Sequence, residues 1–411
     1  MHIHNLIGIG FGPSNLALAI ALQEQGHAPD ALYLEKQEHF AWHPGMLLDG
    51  THMQISFLKD LATLRNPSSR FTFLNYLHQQ QRLPDFINLK TFYPSRYEFN
   101  DYLAWAARQF AAQTRYGEEV TAVLPVQKDG QVTHLTVLSR DSQGQQHERQ
   151  ARNLVVSIGG TPSIPECFAP FRNDARVFHS SSYLGSMNQL KDARRIAVIG
   201  AGQSAAEIFM DLHGKGCNVD LVTRARAMKP ADDSPFINEI FNADYTDYVF
   251  KQAPSERAAL IEEHLNTNYA VADTDLIEQI FHVFYQQKVL GHQRHQFLRR
   301  HEVVEVNAEA GGIQLQLKDQ DSGTTFASRY DAVILATGYR RQQHQNLLAP
   351  LAPWLDNMAV DRNYQLIADD RFLPRVFLQG SCEASHGLSD TLLSITAIRS
   401  QEIGAALHAT V

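Results

Sequence analysis

Residues 5–25, NLIGIGFGPSNLALAIALQEQ, set the architecture of the chain. The apolar run Leu6 to Ile9 reads as a buried strand, interrupted at Gly8, Gly10 and Gly12. Pro13 and Ser14 then lead into an amphipathic helix from about Asn15. Strand, tight glycine turn and helix start form a dinucleotide-binding opening. Glycine lets the backbone approach a pyrophosphate, which rests on the helix-start amides and dipole. Asn15 stands where the usual G-x-G-x-x-G has its third glycine, and a purely structural turn is the competing reading of a lone triplet. Glu35 favours the nucleotide. It ends the next apolar run, Ala31 to Leu34, where an acid accepts hydrogen bonds from a ribose 2′-hydroxyl. Adenosine without a 2′-phosphate, hence FAD or NAD, is the first inference.

The same pattern recurs at Arg194 to Leu212, RRIAVIGAGQSAAEIFMDL, with Gly200, Gly202 and Ala206 in the glycine positions and Gln203 and Ser204 opening the helix. Two such loops predict a two-dinucleotide flavoprotein, one loop for FAD and one for a nicotinamide coenzyme. The strand after the second loop, Val219 to Val222, runs into Thr223-Arg224-Ala225-Arg226 without an acid. Arg224 or Arg226 there suits the 2′-phosphate of NADPH, with solvated loop charges as the competing reading. Asp220 comes too early in the strand to reach a ribose. Gly202 to Ala206 also approximates the nucleophile elbow of α/β-hydrolases, with His386 as a partner, but the fifth position is alanine and a hydrolase has no use for the first loop.

Composition narrows the class. A chain of 411 residues, 44% hydrophobic, is long enough for two or three domains. A net charge of -8 disfavours nucleic acid or an anionic membrane as partner. Cys167, Cys217 and Cys382 form no C-x-x-C, which argues against a disulfide framework or a cysteine zinc site. No apolar run reaches the roughly 18 residues of a membrane span and no signal-peptide pattern precedes Leu6, so a cytoplasmic protein is expected.

From Phe40 to Met53, aromatic, His, Gly and Pro residues crowd together without periodicity, the mark of a long ordered loop. Trp42, Met53 and Phe57 offer surface suited to an isoalloxazine ring, with Gln54 and Lys59 as polar groups among them. Four strings here, WHPGM (Trp42 to Met46), MQISFLKDL (Met53 to Leu61), FLNYL (Phe73 to Leu77) and FINLKTFYPSRYEFNDYLAWAA (Phe86 to Ala107), resemble the flavin-dependent N-hydroxylating monooxygenases of siderophore biosynthesis. The resemblance extends nearly end to end. It implies that Lys59 contacts the substrate carboxylate, that Trp42, His43, Met53 and Gln54 lie beside the flavin, and that Arg96 sits near flavin and nicotinamide. A salt bridge with Glu98 or Asp101 is the alternative for Arg96. Asn238 and Asn268 match substrate-binding asparagines of the ornithine-acting branch, and Ser394, in the DTLLS string with Asp390 and Leu392, matches a serine bordering flavin and substrate.

The remaining text fills in the domains. Alternation from Tyr116 to Gly159 reads as a β-meander whose last strand returns to the sheet. TPSIPECFAP is a linker. Asp232 and Asp233 precede Ser234-Pro235 and read as helix caps rather than acid/base carboxylates. Ser255 to His264 and Asp275 to Gln287 look like a small helical domain over the cleft. GHQRHQFLRRHE (Gly291 to Glu302) lacks a sensible fourth ligand and reads as a solvated helix end or loop, so no metal is expected. AVILATGYR ends in a tight Ala336-Thr337-Gly338 turn characteristic of two-dinucleotide flavoproteins and marks a return to the flavin side. Gly387 and Asp390 would set amides against the flavin ring.

The expected architecture is α/β, with two Rossmann-like domains and a small, mainly helical substrate domain. The expected boundaries are 1–165 and 330–411 for FAD, 166–238 and 285–329 for NADPH, and 239–284 for substrate. The resemblance implies an L-ornithine N-monooxygenase working with NADPH, O2 and a flavin C(4a)-hydroperoxide, and assembled as a tetramer. N-hydroxylation of lysine or a diamine, and an FAD/NADPH reductase without hydroxylated product, are the alternatives.

Overall fold

The computed structural model describes residues 2–26 and 30–408. Two parallel sheets organise it. In the first, the neighbours in order are Thr114–Arg115, Ala31–Leu34, Ile3–Ile9 and Gln146–Val156, all parallel. The last of these serves two partners. Its first half closes an antiparallel meander with Glu118–Lys128 and Gln131–Asp141, and its second half pairs in parallel with Arg375–Leu378 near the far end of the chain. The second sheet has the order Gln296–Arg299, Asn218–Thr223, Arg195–Ile199, Ala332–Leu335, Val177–His179, again parallel throughout. A three-stranded meander, His301–Glu309, Gly312–Asp319 and Thr325–Tyr330, precedes its strand Ala332–Leu335.

Parallel sheets are covered on both faces, so their strands read as apolar runs. Within the second sheet, Ile196 and Val198 face one apolar cluster while Ala197 faces another, the two-residue period of a strand. The helix Pro13–Glu24 departs from the expected amphipathic pattern. Asn15 to Leu22 are all buried, because the helix is packed between its sheet and the C-terminal helix Thr396–His408. Its ALAIAL text is apolar all round for that reason.

Two expected boundaries shift. Ala332–Leu335 belongs to the second sheet, so the crossing back to the first falls after it and not at 330. There Tyr339–Arg340 pairs antiparallel with Thr161–Pro162, so the outgoing and returning chains cross side by side. A boundary at 284 would cut the helix Thr274–Leu290. That helix packs on Gln203–Gly214 and joins the parallel strands Asn218–Thr223 and Gln296–Arg299, which makes it the crossover helix of the second sheet. The helices Ala243–Lys251 and Pro254–Glu263 instead pack on Glu383–His386 near the C-terminus.

Candidate active site

The first glycine loop is built as its text implies, with each glycine doing a different job. A Cβ on Gly8 would run into the Tyr33 ring, and one on Gly10, at φ +83°, into the Ser157 carbonyl. Both positions serve close packing of the strands. A Cβ on Gly12 meets nothing within 4 Å, so this glycine faces open space at the start of the helix. Gly12 is the N-cap, Pro13 follows it, and no side chain caps the first-turn amides. Unclaimed amides beside an unobstructed glycine are what a pyrophosphate needs.

Asn15 turns its side chain into the protein. It is fully buried, donates to the Gly10 carbonyl at 2.7 Å, and accepts from Gln379 Nε2 at 3.0 Å. It thus ties the glycine turn to the end of the strand Arg375–Leu378, a task a third glycine cannot perform. Glu35 is buried at the end of its strand and accepts from the amides of Phe11 at 2.7 Å and Gln37 at 2.9 Å, placing its carboxylate beside the glycine turn. Ser14 opens the helix, its hydroxyl accepting from Arg399 at 2.9 Å. Arg399 is fully buried and also donates to the Asp390 carboxylate at 2.8 Å. Asp390 accepts from Cys382 N at 2.6 Å, so its side chain shapes the C-terminal turn, where Leu392 N donates to Ser389 O. Nothing in the local sequence marks Arg399, because its partners lie up to 385 residues away.

The loop Phe40 to Leu64 is ordered by a second strip of backbone. Met53 N donates to Pro94 O, Phe57 N to Phe92 O and Arg96 N to Thr51 O, with an antiparallel bridge between His52 and Ser95. Asp60, buried, accepts from the amides of Ala62, Thr63 and Phe73 and from the Thr63 hydroxyl, fixing the turn that follows Lys59. Phe57 turns inward against Phe73, Phe86 and Phe92, so it belongs to the aromatic core rather than to a flavin-facing wall. Burying such a ring contributes about 1.5–3 kcal/mol. Met53 is buried, while Trp42 stacks edge-on against Phe99 and His43. His43 adopts a left-handed conformation at φ 49°. Surrounding protein, then the charges of Arg96 and Arg341, push its imidazole down to about 4. The residue nonetheless keeps an exposed surface.

Lys59 is half-buried, burial lowers its pKa, and its ammonium has no counter-ion among the described residues. A cation held this way without a partner is unusual and points to an anionic ligand. Asn238, the last residue of the short helix Pro235–Asn238, donates to Asp233 O at 2.7 Å. Ser234 is that helix's N-cap with Pro235 following, but neither expected acid caps the helix: no side chain bonds its first-turn amides, and Asp232 instead accepts from Ser234 N. The amide of Asn268 has no partner among the described residues. Both asparagines are brought to the C-terminal segment. Glu239–Phe241 packs on Leu388–Thr391, and Tyr269 hydrogen-bonds Glu383. Ser394, on the same segment, has a buried hydroxyl without a protein partner.

At the second loop, Gly200 sits at φ +143° and a Cβ there would meet the Ala336 carbonyl. Gly202 is the N-cap of Gln203–Gly214, again without side-chain capping. Arg224 and Arg226 are exposed and unpaired at the end of Asn218–Thr223, whereas Asp220 is turned away onto Tyr330 and Arg195. Thr337 and Gly338 join the two halves of the domain crossing. Thr337 donates to Ser163 O, and the Gly338 carbonyl accepts from Ser163 N and His179. The Gln203 side chain is engaged within the protein, donating to Glu207 and to Asp273 at 2.8 Å each and accepting from Asp273 N. Arg96 pairs with neither Glu98 nor Asp101, which both meet Arg82. It forms a two-pronged pair with Glu207 at 2.7 and 2.8 Å. Glu207 and Asp273 carry no local motif; only the shared face of Gln203 and Glu207, one helical turn apart, hints at their link.

Ser204 has no histidine partner among the described residues. His386 is bonded to Ser385 and the Arg362 carbonyl and stacks on Tyr364, which removes the hydrolase reading. His295 is not in a solvated loop but buried, bridging Val219 N and His213. His2, His4 and Asp30 do cluster, at the end of the first strand away from its glycine turn.

Two sheets with parallel cores, each opened by a glycine loop and joined by a polar network between them, define a two-dinucleotide flavoprotein. A family model for L-lysine 6-monooxygenase/L-ornithine 5-monooxygenase matches residues 2–341, and the chain belongs to that family. The L-ornithine N(5)-monooxygenase of Pseudomonas aeruginosa is 51% identical over 99% of this chain and 94% of its own length. The solved ornithine hydroxylase from Pseudomonas aeruginosa superposes with a TM-score of 0.96 at 51% identity, covering 99% of both chains. The ornithine N-hydroxylase of Kutzneria sp. 744, in complex with reduced FAD, NADP+ and L-ornithine, does so at 0.94 and 36% identity, again over 99% of each.

Proposed function

We propose that this chain hydroxylates the side-chain amine of L-ornithine, consuming NADPH and O2 and giving N-hydroxyornithine, NADP+ and water, for hydroxamate siderophore biosynthesis. The observation that carries the substrate is the unpaired, half-buried ammonium of Lys59. It suits an α-carboxylate, while the amides of Asn238 and Asn268 serve the other polar groups of the amino-acid end. Fixing that end turns chain length into a ruler, and an extra methylene displaces the reacting nitrogen by about an ångström, enough to cost roughly a hundredfold in a positioned reaction.

FAD fits the first loop, where Gly12, Pro13 and Ser14 present the helix-start amides and Glu35 stands at the ribose position. NADPH fits the second, with Gly202 and Ser204 at the phosphates and Arg224 and Arg226 at the 2′-phosphate. Bound there, flavin and nicotinamide supply the hydride and oxygen chemistry. The protein's own groups bind, orient and keep out water. Ser394, whose buried hydroxyl has no protein partner, offers a polar group for flavin or substrate. We assign Ile3–Pro162 and Tyr339–His408 to the flavin side and Val177–Pro230 with Thr274–Leu335 to the nicotinamide side, leaving the helices from Pro235 to Thr267 to cover the substrate. No helix among the described residues is long and apolar enough to cross a membrane. The three free thiols support a cytoplasmic setting. Exposed Phe281, Tyr285 and Val289, in a row on one helix, support a homo-oligomer, which sedimentation would test.

The direct test is Lys59→Ala. It should raise the ornithine KM at least about thirtyfold, on the scale of a lost charge-assisted contact, while FAD content and NADPH oxidation without amine stay near the parent's. Unchanged ornithine affinity would remove Lys59 from the site.

A further inference from the structure

One polar network crosses between the two glycine-loop domains. On the flavin side it starts from a single piece of backbone, because the strip around His52 is paired with the strip around Ser95. Gln54 leaves one strip and Arg96 the other. Gln54 Nε2 donates to Asp273 at 3.0 Å, and Arg96 closes on Glu207 through both terminal nitrogens. Gln203 joins the two acids by donating to each. The result is a closed clasp of five side chains, with two arms on the flavin side and the acids on elements of the nicotinamide side.

We propose that Glu207 and Asp273 are positioning residues for hydride transfer, clasping the nicotinamide-side helix to the Gln54 and Arg96 strips and so setting how a nicotinamide meets the flavin. This rests on the functional reading above. Three observations carry it. The Glu207 and Arg96 side chains are only 4% and 15% exposed, so the pair lies where charges are weakly screened and one partner left alone is costly. Gln203 has both amide hydrogens and its carbonyl engaged, and it is the first residue of the helix whose amides face the coenzyme phosphates. Any slip of the clasp therefore moves the phosphate site. Asp273 is in turn the N-cap of Thr274–Leu290, the helix that packs on the coenzyme helix, so one residue registers both. Burial pushes the Glu207 carboxyl up, and Arg96 opposes that shift.

The test uses FAD-loaded parent, Glu207→Gln, Asp273→Asn and the double variant Arg96→Gln/Glu207→Gln. Flavin reduction by saturating NADPH without oxygen should fall at least about tenfold in each single variant with FAD content near the parent's, Tm staying near the parent's in Asp273→Asn and dropping in Glu207→Gln, where Arg96 is left unpaired. The double variant should be no slower than the poorer single, as expected for partners in one contact. Hydrogen exchange should quicken locally, at the strips around His52 and Ser95 and at the start of Gln203–Gly214. Reduction within twofold of the parent, unaltered exchange at those strips, or a rate loss that merely follows lost FAD or, in Asp273→Asn, a lowered Tm, overturns the proposal. If Glu207→Gln fails to fold, Asp273→Asn decides alone. A parent that reduces its flavin but makes no hydroxylated ornithine refutes the functional reading and leaves the effect of the clasp on reduction measurable.

Discussion

At the first glycine loop the next strand ends in Glu35, whose carboxylate is held by two amides beside the turn; at the second it runs into Thr223-Arg224-Ala225-Arg226, whose two arginines are exposed and unpaired. The backbone plan is the same in both. The first loop is closed inward, with Asn15 knitting the turn to Gln379 and Arg399 knitting Ser14 to Asp390. The second is closed outward, with Glu207 and Asp273, joined by Gln203, meeting Arg96 and Gln54 of the other domain. A loop satisfied by its own domain suits a cofactor that stays, and a loop whose side chains depend on a neighbour suits a coenzyme that comes and goes.

The largest expected effect separates the jobs of the glycines in the first loop. Gly10→Ala combines a positive φ with a collision against the Ser157 carbonyl, and should cost more than about 3 kcal/mol, seen as lost folded protein and lost FAD. Gly12→Ala meets open space and should keep the parent Tm while weakening FAD. If both variants melt alike, the assignment of Gly12 to the ligand is wrong.

Acid should expose what the two regions share. His386 on the flavin side and His295 on the nicotinamide side are each held neutral by burial, first of all, at a pKa of about 4. The unfolded chain takes up these protons near 6.5, so the native state binds fewer between the two values. Stability contributed by neutral burial is thus full above pH 6.5 and falls as pH drops towards 4, by up to about 3 kcal/mol per residue. Calorimetry from pH 7.5 to 4 should show this loss in the parent and a shallower one in His386→Gln. Equal slopes would contradict it.

Arg224→Ala should weaken NADPH relative to NADH by about 1.5–3 kcal/mol, since one charge-assisted phosphate contact is lost. An unchanged preference between the two coenzymes would shift that role to Arg226 or elsewhere. The smallest effect belongs to Asn15→Gly, which restores the usual glycine but strands the buried Gln379 amide. It should cost about 1–3 kcal/mol in Tm-derived stability and little in FAD affinity.

What was legible in the sequence was local. Each glycine loop is a contiguous string whose turn chemistry can be read from its own residues, and so are the Ser234-Pro235 helix start and the FLKDL run. What escaped was long-range pairing. Arg96 was legible as a site residue, but its partner Glu207 lies 111 residues on and bears no motif, while two nearer acids competed for it on paper. The buried state of His295 was hidden for the same reason: the residues that enclose it, Val219 and His213, come from other elements. The helix Thr274–Leu290 was visible as a helix, but its place in the second sheet's crossover depends on strand order, which periodicity does not encode.

The most direct test of the whole account is the amount of hydroxylated amine formed per NADPH consumed when the FAD-loaded protein is offered L-ornithine, L-lysine and putrescine in turn. The account predicts close to one hydroxylamine per NADPH with ornithine, NADPH oxidation with peroxide and little hydroxylamine with lysine, and little response to putrescine, which has no carboxylate for Lys59. Equal hydroxylation of lysine or putrescine, or NADPH oxidation with ornithine that yields no hydroxylamine, would contradict it.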